Sequence, residues 1–296
     1  MNTEVQRFTP ASVDIHARKI TFASAVDKER YWMAGSKLFT TGFNFASMLF
    51  PEGETFFIKS VQNFQSQIVD PKLRDDINGF IAQEITHAQE HEKYNEDAYD
   101  NGFYKLRGME KILRSILVGS HRWVPKKFQL SFTVTAEHFT AIGANIGLQF
   151  PDLIMGAVDP KYREIWLWHA VEETEHKGVA FDVLKAVSGN YWLRIMPLAI
   201  ILLLALVSSV IAAVILPPLA LINKIRGKGI FSKPKGRPLP KSIKREIVLA
   251  RNMFLKDLFS FFKPSFHPWD CDNSSFVEDW KSNYAATGKS ALTQEA

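Results

Sequence analysis

The sequence is short of cysteine. Cys271 is the only one among 296 residues, which excludes an internal disulfide framework and any zinc or iron–sulfur site built on thiolates. Strand signals are equally scarce: few runs alternate apolar and polar residues, and no Asn-Gly or Asp-Gly turn joins two such runs. There is no repeat of solenoid length and no Gly/Ser-rich linker before residue 225. The first twenty residues hold no apolar core of signal-peptide length and no small-residue cleavage site, so a secreted protein is not expected. Acid is missing from residues 224–245, where Lys224, Arg226, Lys228, Lys233, Lys235, Arg237, Lys241, Lys244 and Arg245 supply much of the net charge of +5. That excess is a local patch with no base-stacking or groove-reading motif, so nucleic acid is not an expected partner. Charge of either sign is missing from residues 195–222. A helix of that length rises ~40 Å at about 1.5 Å per residue, enough to cross a bilayer.

What the sequence does have is helical punctuation. Asp70-Pro71 opens a segment over 71–99 that stops at Asn101-Gly102. Val124-Pro125 opens another over 125–149, and Asp159-Pro160 a third that ends near Ser188-Gly189. Pro51 and Gly53 precede a shorter helix over 54–68, and a further helix over 109–120 bridges the longer ones. An all-α chain follows. Residues 1–190 form a four-helix metal-binding unit, residues 191–224 an apolar helix, and residues 225–296 a basic loop, an amphipathic helix over 241–262 and an aromatic tail. In that tail Phe266-His267-Pro268-Trp269-Asp270 reads first as a surface-packing anchor and, as the alternative, as a rigid cap folded onto the bundle.

The chemistry concentrates in QEITHAQEH, with Glu84, His87 and His91, and in WHAVEETEHK, with His169, Glu172, Glu173, Glu175 and His176. At about 100° per residue, Glu84 and His87 share one helix face, and His169, Glu173 and His176 fall within an arc of ~60° on theirs. A carboxylate and an imidazole three residues apart on each of two helices is how helix bundles hold two metal ions. Each ion takes an imidazole, and carboxylates bridge the ions and offset their charge. The other two helices must each add a carboxylate. Glu54 in FPEGETFF and Glu137 in TVTAEHFTA stand in the expected order. Glu137 lies among Phe132, Val134, Ala136, Phe139, Ala141 and Ile142, where a carboxylate needs a cation. Glu54 also suits the first turn of a helix, where the dipole favours acid. Glu172 fits an arc with His169 and His176 as narrow as that of Glu173; Glu173 is preferred because it repeats the Glu-x-x-His spacing, leaving Glu172 behind the ligands. His91 is expected behind them too, or along an access channel. His138 points about 100° away from Glu137 and is not expected to bind metal.

The ordered set Glu, Glu-x-x-His, Glu, Glu-x-x-His resembles the ferritin-like di-iron carboxylate proteins. His169, four residues before Glu173, extends the second motif to His-x-x-x-Glu-x-x-His, which is similar to the di-iron arylamine N-oxygenases, where the added histidine is a third imidazole ligand. Through FPEGETFF, QEITHAQEHEKYN, EETEHKGVAFDV and SFHPWD, the chain is also similar to a bacterial family of predicted metal-dependent hydrolases. These resemblances imply a ferritin-like bundle with Glu54, Glu84, His87, Glu137, His169, Glu173 and His176 around two ions.

Such a carboxylate-rich set suits iron first, with manganese or zinc also accommodated. Two iron ions imply an oxygenase or oxidase that takes O2, electrons from an unidentified donor and a small apolar substrate. A dinuclear hydrolase is the alternative, since two ions activate a water and clamp the transition state. A non-catalytic metal-binding protein is the third reading. The basic patch beside the apolar run points to an anionic membrane surface as a partner. Keeping both the metal-binding unit and the basic loop at the cytoplasmic face requires the apolar segment to bend, at Ser208-Ser209 or Pro217-Pro218.

Overall fold

The computed structural model describes residues 9–10, 12–18, 20, 22, 29–150, 158–225 and 241–287, with backbone alone for 160–161, 211–225, 241–244 and 286–287. The basic loop over 226–240 lies outside the described residues. Helices account for nearly all of the described chain, and its nearest approach to a strand is one isolated bridge between Met33 and Val158. Four long helices form the bundle: α1 (Lys37–Gln62), α2 (Pro71–Ala98), α4 (Lys126–Gln149) and α5 (Pro160–His176). α3 (Lys105–Trp123) connects the second to the third, and α6 (Val179–Val187) follows the fourth. Then come the apolar α7 (Tyr191–Ile225), α8 (Lys241–Ser260) and α9 (Ser274–Thr287).

The punctuation sets several of these ends. Asp70 caps α2 by accepting the Leu73 amide at 2.7 Å, with Pro71 in the first turn. Gly102, at φ 97°, takes the left-handed conformation that closes the helix. Elsewhere the expectation needs correcting. α1 does not begin after Pro51 but runs through it, so Glu54 sits mid-helix and not in a first turn. A proline removes one helical donor, from the carbonyl four residues earlier. Here that is Ser47 O, and the Asn95 side-chain amide takes it at 3.1 Å. The last bundle helix also ends sooner than expected, at His176, before Lys177-Gly178. A Cβ on Gly178 would meet Thr9 Oγ1 at 2.5 Å and Trp269 at 3.1 Å, so glycine lets the N-terminal segment and the tail close over this turn.

Two apolar clusters fill the bundle. One gathers Phe56, Phe57, Phe80, Leu130, Val134, Phe181, Leu198 and Phe261; the other gathers Trp32, Tyr94, Leu167, Trp168, Val171 and Trp280. α9, absent from the sequence reading, packs on α5 through Val277 and Trp280. The tail cap is built from His267, whose Nδ1 accepts the Trp269 amide at 3.2 Å. Its Nε2 therefore carries the proton donated to Asp182 Oδ1 at 2.9 Å, and Asp182 Oδ2 accepts from the Thr9 amide at 3.0 Å. N-terminus, α6 and tail are thus tied through one buried carboxylate.

α7 is the one helix among the described residues that is long and apolar enough to cross a membrane, and only 22% of its window over Tyr191–Val210 is buried. Its first turns pack on α4, where Ser131 donates to Leu193 O; over residues 203–210 it is exposed. The helix passes Ser208-Ser209 and Pro217-Pro218 without a break, contrary to the expected bend. Ser209 is absorbed by bonding back to Ala205 O at 2.7 Å, and prolines in a helix kink more readily than they end it. The chain nevertheless returns. Tyr191 donates to Phe262 O at 2.7 Å and Arg194 to Lys263 O at 2.8 Å, so the end of α8 sits at the root of α7.

Candidate metal centre

Seven buried side chains from the four bundle helices converge between the two apolar clusters. α1 brings Glu54, α2 Glu84 and His87, α4 Glu137, and α5 His169, Glu173 and His176. They form two sets that share Glu173. In one set Glu54, His87, His169 and Glu173 bring donor atoms within 4.8 Å of one another; Glu84, Glu173 and His176 do so in the other. Glu137 Oε2 joins the second set, 3.5 Å from His176 Nε2. Glu173 Oε1 lies 3.0 Å from His169 Nε2 and 3.7 Å from His87 Nδ1, while its Oε2 lies 3.5 Å from His176 Nε2. Glu84 Oε1 stands 3.3 Å from that same nitrogen. The spacing partners Glu84 and His87 thus face different sets.

The outward nitrogen of each imidazole is engaged, and the hydrogen bonds assign its proton. The Gln83 amide group donates to Glu175 Oε2 at 2.8 Å and His16 O at 3.2 Å. Its Oε1 therefore accepts Nδ1–H of His176 at 2.9 Å, turning Nε2 of His176 toward Glu84, Glu137 and Glu173. A longer chain fixes His169. Asn95 points its amide at Ser47 O, so its Oδ1 accepts the Ser47 hydroxyl at 2.7 Å. Ser47 Oγ then accepts from His91 Nδ1 at 2.8 Å, and His91 Nε2 accepts from His169 Nδ1 at 2.8 Å. His169 Nε2 is left without a proton. His87 turns Nε2 to Glu172 Oε2 at 3.1 Å, while the Arg18 amide and guanidinium hold Glu172 Oε1, each at 3.1 Å. Bonds of this kind fix tautomer and ring direction in metal-binding histidines.

The inward atoms tell the rest. Both oxygens of Glu54, Glu84 and Glu137, Oε2 of Glu173, Nδ1 of His87 and Nε2 of His169 and His176 are buried without a hydrogen-bond partner. Buried polar atoms are nearly always paired, and these are turned toward one another around a common centre. Burial, then repulsion from Glu173 and Glu137, pushes the Glu54 carboxyl well above its ordinary range. Burial with Glu54 and Glu173 does the same to Glu84, and burial with Glu173 and Glu84 overrides His176 at Glu137. Burial disfavours a charged His176, but Glu173 and Glu137 override it and push this imidazole up to about 9, so without metal a proton offsets part of the carboxylate charge. A crowd of donors in a site that resists negative charge fits metal cations, which would take that proton's place. Phe80 against His176, Trp168 against His87 and Phe50 against His169, at ring distances of 5.0, 4.8 and 4.6 Å, wall the site with apolar surface.

Glu172 and His91 stand one step outside the two sets. His138 lies outside altogether, stacked on Phe261 at 4.7 Å and bonded to Asp257 O at 3.1 Å. Gln83, Ser47, Asn95 and Arg18 are residues to which the motifs gave no part, and Glu175, present in the second motif, is now seen to hold Gln83 and Arg18. Gln83 lies four residues before His87 and Asn95 four after His91, so their shared helix face was a readable signal. Arg18 comes from irregular N-terminal chain and offered none.

An all-α bundle with a buried site of glutamates and histidines that could hold metal ions is the class of protein the fold defines. The chain belongs to the family of predicted metal-dependent hydrolases, whose model matches residues 16–272. No curated protein and no solved structure matches it, and nothing in these comparisons supports the likeness to arylamine N-oxygenases.

Proposed function

We propose that this protein is a metal-dependent hydrolase with a dinuclear centre. The observation that carries the reading is Glu173, whose two oxygens face separate sets of buried donors. Glu54, His87 and His169 would hold one ion, and Glu84, Glu137 and His176 the other, with Glu173 between them. Two ions so held supply an acidified water and stabilise the charge of a hydrolytic transition state. The chain's own contribution is positional and electrostatic. Four carboxylates offset most of the ionic charge, Gln83, His91 and Glu172 hold the imidazoles in register, and the aromatic walls keep bulk water out. Family membership supports hydrolysis as the reaction class.

One observation favours a second reading: the donor set has four carboxylates to three imidazoles, a mixture that suits iron or manganese better than zinc. With iron, the same centre would serve O2-dependent oxidation of a small apolar substrate, with electrons from an external donor. Metal analysis and paired assays separate the readings. Turnover of ester or amide substrates without oxygen, in protein loaded with manganese or zinc, supports hydrolysis. Dioxygen uptake by reduced, iron-loaded protein with no anaerobic turnover supports oxidation. Two tightly held ions with neither activity would make it a metal-holding protein.

The reading extends to location. The uncharged stretch 195–222 of α7, exposed over 203–210, with the basic residues of 224–245 after it, supports attachment to an anionic membrane at its cytoplasmic face. Because the end of α8 returns to the root of α7, both flanks belong on one side of the bilayer.

A further inference from the structure

α3 presents a face that the bundle does not use. At about 100° per residue, Met109, Ile112, Ile116 and Trp123 share an arc of ~60°, and their exposures are 45%, 63%, 61% and 78%. Leu106, Leu113 and Leu117 lie about 90° round the helix from that stripe and pack into the cores. Single exposed hydrophobes are ordinary, but a row along nearly four helical turns is not. On the far side of the helix from the stripe, Lys111, Arg114 and Arg122 form an exposed basic face, which Lys126 and Lys127 continue into α4. The one acid in 105–127 is Glu110, and it accepts the Tyr99 hydroxyl at 3.0 Å. Arg114 reaches Glu52 at 3.4 Å but keeps 69% of its side chain exposed.

The placement of this face matters as much as its chemistry. Gln129 on α4 donates to Val124 O at 2.7 Å, with His121 O at 3.4 Å, and so pins the end of α3. Two residues on, Ser131 of the same helix holds the first turn of α7 through Leu193 O. Trp123 and Trp192, 78% and 73% exposed, therefore flank one end of α4. The end of α3 and the start of the apolar α7 thus meet α4 within two residues of each other.

We propose that α3 is an interfacial membrane helix, its apolar stripe lying at the acyl-chain boundary of an anionic bilayer and the long side chains of its basic face reaching toward lipid phosphates. An apolar stripe ended by a tryptophan, with Lys and Arg on the polar face behind it, matches a charged lipid surface better than it matches another protein. The proposal rests on α7 being membrane-attached only in that α7 brings the lipid close. With α7 and α3 both engaged, the bundle has a fixed orientation on the membrane instead of hanging from a tether.

Full-length protein carrying Cys271→Ser and one introduced cysteine tests this. Ile116→Cys reports on α3, Leu206→Cys on α7 and Lys93→Cys on an exposed part of α2. Each is labelled with an environment-sensitive fluorophore and mixed with phosphatidylcholine vesicles, with or without phosphatidylglycerol and with nitroxide on the acyl chains. The expected result is a blue shift and quenching at positions 116 and 206, stronger on anionic vesicles at 116, with no change at 93. Quenching at 206 alone overturns the role of α3 and leaves the attachment of α7 standing. Quenching at neither position overturns both. A blue shift at 116 that grows with protein concentration and needs no vesicles would assign the face to a second copy of the chain and also overturn the proposal.

Discussion

The side-chain amide of Asn95 bonds the backbone carbonyl of Ser47 at 3.1 Å, and that carbonyl is free because Pro51, four residues on, brings no N–H. The kinked helix thereby orients an asparagine, which orients a serine hydroxyl, then His91, and finally the proton on His169. A backbone defect in α1 is read out as the lone pair that His169 turns into the centre.

That chain makes Ser47 and Pro51 testable. Ser47→Ala leaves His91 free to take the other tautomer, and metal affinity should fall by ~10–100-fold, the usual effect of losing such a support. Pro51→Ala should weaken binding in the same direction while adding a helical hydrogen bond, because the new amide competes with Asn95 for Ser47 O. Competition titration against a chelator measures both. Unchanged affinity in Ser47→Ala would sever the link from α1 to His169.

The two adjacent glutamates should behave differently. Glu173→Ala or Glu137→Ala should lose at least one ion, whereas Glu172→Ala and His138→Ala should keep two. Elemental analysis of the four purified variants decides it, and metal loss in Glu172→Ala with retention in Glu173→Ala reverses the assignment. His169→Ala is expected to keep part of its metal and to change reactivity.

Removing the metal should destabilise the fold. Without cations the centre holds buried carboxyls of Glu54, Glu84 and Glu137 that burial and mutual repulsion push well above their ordinary range. An ion that binds only the folded chain adds about 2.7 kcal/mol when free at a hundred times its Kd. Tm should therefore drop on chelation and climb with the logarithm of added manganese or iron. A Tm indifferent to both would mean the cluster binds no metal.

Much of this architecture was legible in the sequence, and the failures have physical causes. Asp70-Pro71 and Val124-Pro125 marked the starts of α2 and α4 because caps and prolines act locally. Pro51 and Pro217-Pro218 misled because tertiary partners can take up what a proline leaves open, as Asn95 does at Ser47. Glu84, His87, Glu173 and His176 stood out through spacing on a single helix. Arg18 could not, since its bonds to Glu172 and Glu175 join residues more than 150 positions apart. α9 was readable in principle: Phe276, Val277, Trp280 and Tyr284 follow a helical period.

The N-terminal strap that delivers Arg18 depends on a glycine. A Cβ on Gly79 would stand 2.1 Å from Ile15 O, closer than any contact allows. Gly79→Ala should cost about 1–3 kcal/mol, as overpacking does, and should loosen Arg18 from Glu172. Gly42→Ala, with nothing within 4 Å, is the control and should gain about 0.5–1 kcal/mol from helix propensity alone. Urea unfolding of the pair measures the difference; equal stabilities would show that the strap does not press on α2.

The apolar helix gives the last prediction. A straight crossing by α7 would carry the following chain to the far side of the bilayer. Yet Phe262 and Lys263 are bonded to Tyr191 and Arg194 at its root, and Lys177 bonds Cys271 O at 2.7 Å. A return crossing through α8 is closed off by Lys244, Arg245, Glu246, Arg251, Lys256 and Asp257, since a span needs about 20 predominantly apolar residues. On the proposed membrane attachment, the helix is expected to enter from one face and leave its end there. The protein should sediment with membranes, and deletion of 195–222 should release it. On vesicles of defined orientation, protease should reach residues 1–190 and 241–287 from the same side. Cleavage of the two regions from opposite faces would mean that α7 spans the bilayer and that the packed tail comes apart in the membrane-bound protein.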